Sequence, residues 1–223
     1  MMIKANGELH DAVPIDPLFT FRKKSTGFSF LRVLLPIALI SFLGSGATGQ
    51  ATPIDTAHSK LLIRVSKSGV FSGLADNHEV EAQIAQGSLD ARSGEVRLSV
   101  DSRRMRVLDP KLPADKRQQV QERMLGPEVL DSGRFPSITF ESTRVEHRQE
   151  GNVVVEGRLS LHGVTKAVSI EAHRENGRYT GKFKLKQSDF EITPISIAGG
   201  AVKVKDELAI EFDIASLSGE KGN

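Results

Sequence analysis

Three of the six histidines in this sequence are the candidates for acid–base or metal chemistry. His58 precedes the first stretch of alternating apolar residues, His78 precedes the second, and His162 lies in a Leu-His-Gly sequence. With Asp76 or Glu79, the pair His58 and His78 could form a metal site. No His-x-His or His-x-x-x-His pair is present, so the spacing does not indicate a metal. We therefore expect the three histidines to be polar residues at the rim of the fold, without a metal.

The side chains needed for covalent or thiolate chemistry are scarce. Cysteine is absent, which excludes disulfides, thiolate metal ligands and a cysteine nucleophile. Ser59, Ser72 and Ser142 lie outside any Gly-x-Ser-x-Gly sequence, and no serine triad can be assembled. His162 suits a general base or a contact to a ligand head group, but a turn histidine bonded to nearby backbone is the favoured interpretation. We expect no catalytic residues, and a metal- or histidine-dependent enzyme is the alternative function.

Composition argues against nucleic acid as a partner. Of 30 basic and 28 acidic side chains, five and three lie in residues 1–51, which leaves 25 of each sign beyond that segment. A surface with balanced, mixed charge does not attract a polyanion. Tryptophan is absent and tyrosine occurs once, so side chains that stack on bases or sugars are few.

Residues 1–51 have the order of a secretory signal peptide. The basic cluster Arg22-Lys23-Lys24 precedes a mostly apolar stretch, and small residues follow as far as Ala51. The apolar stretch is short for a membrane span and is interrupted by Pro36, although an uncleaved membrane anchor is the alternative. We expect cleavage after Ala51 and a periplasmic or secreted protein.

Beyond residue 51, apolar residues recur at every second position, which is the period of a β-strand with one buried face. Asn176-Gly177 separates two such segments, and both residues tolerate the positive φ of a type I′ hairpin turn. The pattern predicts about eight antiparallel strands whose apolar faces cover one another in a sandwich or a closed barrel. The alternating sets are Leu61/Ile63/Val65, Val80/Ala82/Ile84, Val96/Leu98/Val100, Ile138/Phe140, Val153/Val155/Leu159/Leu161, Val168/Ile170/Ala172, Phe183/Leu185 and Leu208/Ile210/Phe212/Ile214.

One segment departs from this alternation. Residues 113–130 are rich in helix-forming residues, and Val120, Met124 and Leu125 would share one face of a helix that ends at the following Gly-Pro pair. A second short helical turn is expected at residues 128–131. This insertion between the third and fourth strands would either cover one end of a barrel or serve only as a surface connection.

Several motifs follow one another between residues 54 and 214, and G-x-L-x-L-H-G-V-T-K and F-P-x-I-x-F-x-S are the most distinctive of them. These motifs and their order resemble those of the YceI-like family of lipocalin-like, polyisoprenoid-binding proteins. A Leu-Ala-Asp-Asn-His segment before the second strand replaces a glycine-aromatic run that is common in the family. The motifs are Ile54-Asp55-x-x-His58-Ser59, Lys67-Ser68-Gly69-Val70-Phe71-Ser72-Gly73-Leu74, Phe135-Pro136-Ser137-Ile138-Thr139-Phe140-Glu141-Ser142 and Gly157-Arg158-Leu159-Ser160-Leu161-His162-Gly163-Val164-Thr165-Lys166.

The resemblance implies an all-β, eight-stranded antiparallel barrel with a short helical insertion between strands 3 and 4. We expect it over residues 52–218, followed by a disordered tail at residues 219–223. It also implies an elongated apolar interior. The expected lining residues are Ile63, Phe71, Leu98, Phe135, Phe140, Leu159, Leu161, Ile170, Phe183, Leu185, Phe190, Leu208, Ile210 and Phe212.

The expected function is non-catalytic binding of a long-chain apolar amphiphile, such as a polyisoprenoid, an isoprenoid quinone or a fatty-acid-like lipid, with no other cofactor. A ligand-free, stress-protective protein with a filled core is a further alternative. We expect a monomer or homodimer and transient membrane contact. The lysines Lys182, Lys184 and Lys186 form an outward stripe that either contacts anionic head groups or is simply solvated.

Overall fold

The computed structural model describes residues 51–68, 77–90 and 92–217. The expected signal peptide, Phe71 and the expected tail from residue 219 lie outside these residues. The described elements are β1 (Thr52–Ser68), β2 (His78–Glu81), β3 (Ile84–Leu89), β4 (Val96–Asp101), β5 (Arg106–Val107), α1 (Ala114–Leu125), β6 (Ser137–His147), β7 (Asn152–Leu161), β8 (Val164–Glu175), β9 (Arg178–Lys186), β10 (Ser196–Ile197) and β11 (Val202–Ser216).

The strands close into an eight-stranded antiparallel barrel, as predicted. The ring runs β1-β3-β4-β6-β7-β8-β9-β11 and returns to β1 through the β1–β11 pairing. β2 and β3 pair with different parts of the same edge of β1, and together they form the second strand of the barrel. Closure pairs the edges that an open sheet of this kind would expose. Among the described residues, no helix is long and apolar enough to cross a membrane.

Register places the alternating apolar residues on one common face. Leu208 is paired with Leu185 and Ile210 with Phe183 across β11 and β9, while Ala209 is paired with Lys184 between them. Because side chains alternate between the two faces of a strand, the Leu and Phe positions point into the barrel and the lysine points out. The predicted alternation of β9 and β11 is confirmed.

Three features of the strands were not predicted from the alternation. The second strand is broken between Glu81 and Ile84, and the register of β3 with β4 shifts after Ile84. β1 starts at Thr52, well before the apolar set that begins at Leu61. Two-residue strands β5 and β10 extend the edges of β2 and β11. All of these lie where polar or irregular sequence hides the two-residue period.

A bulge in β1 explains the Asp-x-x-His-Ser motif structurally. Asp55 Oδ1 accepts the backbone N–H groups of Ala57 and His58 at 3.1 and 3.2 Å, and these two bonds lie within the bulge. Ser59 Oγ then accepts the N–H of Ala215 on β11 at 2.9 Å. The serine hydroxyl therefore continues the hydrogen-bond ladder where the register of β1 and β11 shifts.

Both hairpin turns of the β7–β8–β9 meander use positive φ. Asn176 and Gly177 have φ of 48° and 73°, which confirms the predicted turn. His162 and Gly163 have φ of 53° and 78°, so the Leu-His-Gly-Val sequence forms a second turn of the same kind. Such turns match the right-handed twist of the flanking strands.

Helix α1 follows β5 and lies against one end of the barrel. Val120, Met124 and Leu125 pack against the buried core cluster, as the helical spacing predicted. The expected second helical turn is instead a hydrogen-bonded turn, in which the N–H groups of Val129 and Asp131 both bond to the carbonyl of Gly126. We call this side of the barrel the α1 end.

Candidate ligand-binding cavity

The barrel encloses a cavity of about 990 Å³. Inward-facing residues of all eight barrel strands line it, together with residues of α1. At the end opposite to α1 its walls include Ile54, Leu89 and Ala172, whose exposures are 4%, 5% and 9%. Residues midway along the barrel, such as Phe183 and Leu208, are only partly buried because they border the cavity rather than other side chains.

Most of the expected lining residues face this cavity. Their inward orientation follows from the strand register, and it brings together residues that are far apart in the sequence. Phe71 lies outside the described residues. The expected residues that line the cavity are Ile63, Leu98, Phe140, Leu159, Leu161, Ile170, Phe183, Leu185, Leu208, Ile210 and Phe212.

Phe135 and Phe190 do not line the cavity, so their expected places are corrected. Phe190 is 1% exposed and packs with Ile192 and Leu161 in the buried core cluster. Phe135 packs edge-on against the His162 ring, with ring centroids 4.7 Å apart, and against Gly163. Both phenylalanines lie in segments between strands, where the two-residue alternation does not define a direction.

Further lining residues come from segments without strand periodicity. Met105 and Val107 lie around β5, Val120 and Met124 on α1, and Ile195 before β10. The helical spacing of Val120 and Met124 indicated their shared face, but the sequence could not show that this face lines the cavity. Tyr179, which also lines the cavity, was not predicted either, and burial raises the pKa of its phenol.

His78 is part of a His–Asp pair at the α1 end of the cavity. It lies opposite Val65 in the β1–β2 register, and both residues line the cavity. Its Nδ1 lies 2.5 Å from Oδ2 of Asp109, which is 7% exposed. The other oxygen, Oδ1 of Asp109, accepts the backbone N–H of Glu79 at 2.8 Å. The carboxylate therefore anchors both the histidine ring and the strand that carries it.

His58 and His162 lie away from the cavity lining. The His58 side chain is 76% exposed, and its Nδ1 lies 2.7 Å from Asp55 Oδ2 within the β1 bulge. Val65, the partner of His78, lies seven positions after His58 along β1, so the two histidines lie on the order of 15–20 Å apart and form no joint site. His162 Nδ1 lies 3.1 Å from the carbonyl oxygen of Phe190, as a turn histidine would. Among residues 51–68, 77–90 and 92–217, no group of three or more His, Cys, Asp or Glu residues could hold a metal ion.

Charge is distributed unevenly along the cavity. The long middle and the end opposite to α1 are lined almost entirely by apolar side chains, with Thr139 and Tyr179 as polar exceptions. Every lining residue with an ionisable nitrogen or carboxylate lies at the α1 end. These residues are Lys67, His78, Lys116, Glu122, Arg123 and Lys203.

Fold and cavity together define the class of protein: an antiparallel eight-stranded barrel with an elongated apolar interior and a polar end. A sequence model of the YceI-like domain matches residues 53–216, which is nearly the whole of the barrel. The chain therefore belongs to the YceI-like family.

Known relatives agree with this membership. A UPF0312 protein of Vibrio campbellii is 26% identical over 191 residues, which cover 79% of this chain and 93% of the relative. A UPF0312 protein of Shewanella putrefaciens is 24% identical over 144 residues, which cover 64% and 71% of the two chains. The crystal structure of BcnA from Burkholderia cenocepacia superposes with a TM-score of 0.55 at 19% identity, over 72% of this chain and 98% of BcnA. This last similarity shows the shared fold.

Proposed function

We propose that this protein binds and carries a long-chain apolar amphiphile, such as a polyisoprenoid, an isoprenoid quinone or a fatty-acid-like lipid, inside the barrel. The observation that supports this most directly is the size and lining of the cavity, about 990 Å³. A dry apolar cavity of about 150 Å³ holds one benzene molecule, so this cavity has room for roughly 30–40 carbon atoms. That volume fits one long chain better than a small metabolite.

Affinity for such a chain comes from burial rather than from directed bonds. Each Å² of apolar surface removed from water contributes about 25 cal/mol. The middle of the cavity offers few polar partners, so the fit of an extended chain between Phe183, Ile170 and Leu98 selects the ligand by shape. Binding of this kind needs no covalent step.

The cavity also bears on the two alternative functions, a stress-protective protein and an enzyme. A stress-protective protein with a filled core would have no need of a continuous apolar space along the barrel. An enzyme would need reactive groups against its substrate, and His78 with Asp109 is the pair that could supply acid–base chemistry at the cavity wall. A carrier holds its ligand unchanged, whereas an enzyme converts it, so the molecule that the purified protein holds distinguishes the two.

A carrier of this type would work outside the cytoplasm and load at a membrane. The leader order of residues 1–51 supports export. Ile197 is 46% exposed although it also lines the cavity, and Lys203 lies beside it at the start of β11. An exposed apolar residue next to a cation suits brief contact with an anionic bilayer. The outward lysines are a weaker candidate, because Lys182 and Lys184 form ion pairs with Glu211 and Glu207.

Mass spectrometry of lipid extracted from the purified protein tests this proposal. The full chain is expressed in a bacterium with its leader, and the purified protein is extracted with organic solvent. We expect about one long-chain lipid per protein. The double variant Val155→Trp/Ile170→Trp places two large rings from paired positions of β7 and β8 into the cavity, and it should hold less lipid or shorter chains.

The matched control is Val154→Trp/Glu171→Trp, which changes the neighbouring pair on the outer face of the same strands. It should retain the lipid of the wild-type protein, because a shift of one residue moves a side chain to the opposite face. An extract without lipid would contradict the proposal. A folded Val155→Trp/Ile170→Trp variant that holds the same lipid as the wild-type protein would also contradict it. A chemically altered lipid that is released into solution, in an amount that rises with the amount of protein, would indicate an enzyme instead.

A further inference from the structure

The α1 end of the cavity differs from the rest in charge, and this difference bears on what the bound molecule carries at its head. Lys67, Lys116 and Lys203 come from β1, α1 and β11 and converge on the lining. None of the three forms an ion pair with a residue that the structure describes. The remaining lining charges are partly satisfied, since Arg123 pairs with Glu128 at 3.2 Å and Glu122 accepts a hydrogen bond from Gln118.

The geometry around His78 adds a directed hydrogen-bonding group to these charges. The contact between His78 Nδ1 and Asp109 Oδ2, at 2.5 Å, fixes the orientation of the imidazole ring. Among the described residues, Nε2 of His78 has no hydrogen-bond partner. Lys67 belongs to the same corner of the barrel, because its backbone N–H bonds to Asn77 Oδ1 next to His78.

We propose that this cluster, His78 held by Asp109 with Lys67, Lys116 and Lys203 around it, binds an anionic head group with phosphate or carboxylate oxygens. The inference rests on the proposed function, since it places the head at the α1 end and the apolar tail along the barrel. His78 contacts Asp109 through Nδ1, which leaves Nε2 as the ring nitrogen that contacts the head group. The lysines supply charge that is not fixed in direction, which suits an anion of variable shape.

Charge alone would attract any anion, so the tail must contribute to recognition. The α1 end also holds Glu122 and Arg123, and beyond this end the cavity continues between apolar walls without a further charged residue. An amphiphile satisfies both parts at once, whereas inorganic phosphate satisfies only the polar end. Asp109 is a positioning residue in this scheme, because it acts through the His78 ring and strand β2 rather than on the ligand.

Titration calorimetry of the lipid-free full chain with three probes tests the inference. Farnesyl phosphate and farnesol share a tail and differ in the anionic group, and inorganic phosphate lacks the tail. We expect the wild-type protein to bind farnesyl phosphate about ten- to a hundredfold more tightly than farnesol, the range expected for a charge-assisted hydrogen bond. Inorganic phosphate should bind far more weakly than farnesyl phosphate.

Variants then assign the preference to the cluster. His78→Gln keeps an amide that can bond Asp109 but has no imidazole ring, and it should lose most of the preference for farnesyl phosphate while its affinity for farnesol stays the same. Asp109→Asn should also reduce the preference for farnesyl phosphate over farnesol. Lys67→Gln changes a partly exposed side chain, and if either of the other variants fails to fold, this variant should show the reduced preference. His58→Gln, far from the cavity, should behave as the wild-type protein does.

The possible failures are distinguishable. Equal binding of farnesyl phosphate and farnesol by the wild-type protein would overturn the head-group site and leave the apolar cavity intact. Inorganic phosphate bound as tightly as farnesyl phosphate would overturn it as well, because the site would then be one for free anions. Failure of both farnesyl probes to bind would remove the proposed function itself.

Discussion

At the scale of single residues, the cavity owes its width partly to a glycine. Gly157 on β7 lies under the ring of Phe140 on β6, and a Cβ at this position would meet ring carbons at 2.5 Å and the carbonyl oxygen of Glu141 at 2.7 Å. The strand therefore approaches the ring and the backbone more closely than any other residue permits. The absence of a side chain at Gly157 lets Phe140 lie flat on the barrel wall instead of standing across the cavity.

The substitution Gly157→Ala is expected to destabilise the barrel by about 1–3 kcal/mol, because the added methyl group displaces Phe140 and presses on backbone. For a domain of this size the melting temperature should fall by roughly 2–4 °C per kcal/mol. Gly133→Ala is the control, since a Cβ at Gly133 meets nothing within 4 Å; thermal unfolding should place it within about 0.5 kcal/mol of the wild-type protein. A Gly157→Ala variant as stable as the control would show that Phe140 does not need this space.

At the scale of elements, α1 is attached to the barrel by a side-chain amide. Gln121 accepts the N–H of Val107 and donates to the carbonyl of Met105, both at 2.8 Å. The amide thus continues the hydrogen-bond ladder of β5, whose outer edge would otherwise lack partners. Met105 and Val107 are each 6% exposed, so water cannot replace the amide without opening the contact. No residue of α1 is fully buried, which makes this bridge a large part of its attachment.

Gln121→Ala should cost about 1–3 kcal/mol, the penalty for leaving buried backbone groups without partners. Chemical denaturation measures this loss, and hydrogen exchange should show faster opening of α1 and β5 than of β7 and β8. Gln118→Ala is the matched control, because Gln118 lies three residues earlier on the same helix and its side chain bonds Glu122 rather than β5. Equal stability of the two variants would mean that packing alone holds α1 in place.

A second element-scale feature is the pairing of β1 with β11, which closes the ring. Arg64 on β1 bridges Glu79 on β2 and Glu211 on β11, at 2.6 and 3.0 Å, and Lys182 on β9 also reaches Glu211 at 3.0 Å. Hydrogen bonds from Arg64, which has the larger effect, and from Lys182 lower the pKa of Glu211. The carboxylate is therefore bound more strongly in its ionised form in the folded chain than in the unfolded chain.

The lowered pKa of Glu211 predicts how the stability of the β1–β11 pairing depends on pH. The contribution of Glu211 is fully present above its unfolded pKa of about 4.3 and is lost as the pH falls through the lower folded value. Glu211→Gln should thus unfold at less urea than the wild-type protein near neutral pH, and the gap should narrow below about pH 4. Glu171→Gln on the outer face of β8, where no ion pair forms with a described residue, should show no gap at either pH. A gap for Glu211→Gln that widens in acid would refute the assignment.

At the scale of the whole molecule, the barrel combines a closed backbone with an interior that its own side chains do not fill. An eight-stranded barrel is just wide enough either to be packed solid or to hold a ligand. Here the buried core cluster gathers at the α1 end, around Phe190, Ile192 and Met105, while the middle of the barrel borders the cavity. A bound chain would supply the packing that the central side chains lack.

Loading with lipid should therefore stabilise the folded chain. A ligand present at about one hundred times its Kd adds about 2.7 kcal/mol, which for a barrel of this size raises the melting temperature by roughly 5–10 °C. Differential scanning calorimetry of lipid-free and farnesyl phosphate-loaded protein measures the difference. The Val155→Trp/Ile170→Trp variant, whose cavity is partly filled, should gain clearly less. An equal gain in both would place the ligand outside the barrel.

Much of the fold was predictable from the sequence because its signals are local. Two-residue alternation marks which side of β7, β8, β9 and β11 is apolar, and Asn176-Gly177 marks a hairpin, since both depend only on neighbouring residues. Most of the expected lining residues face the cavity for the same reason. The expectation that Phe135 and Phe190 line the cavity was wrong because both residues lie between strands, where no period fixes the direction of a side chain.

Tertiary structure alone decided the rest. Asp109 meets His78 across 31 residues because β5 pairs with β2, and no sequence spacing indicates that contact. His58 and His78 are separated because one lies in the bulge of β1 and the other beside its far end. Whether the barrel is filled or encloses a cavity depends on how side chains from all eight strands meet at its axis. That is a property of three-dimensional register and volume, which a one-dimensional pattern of apolar residues does not contain.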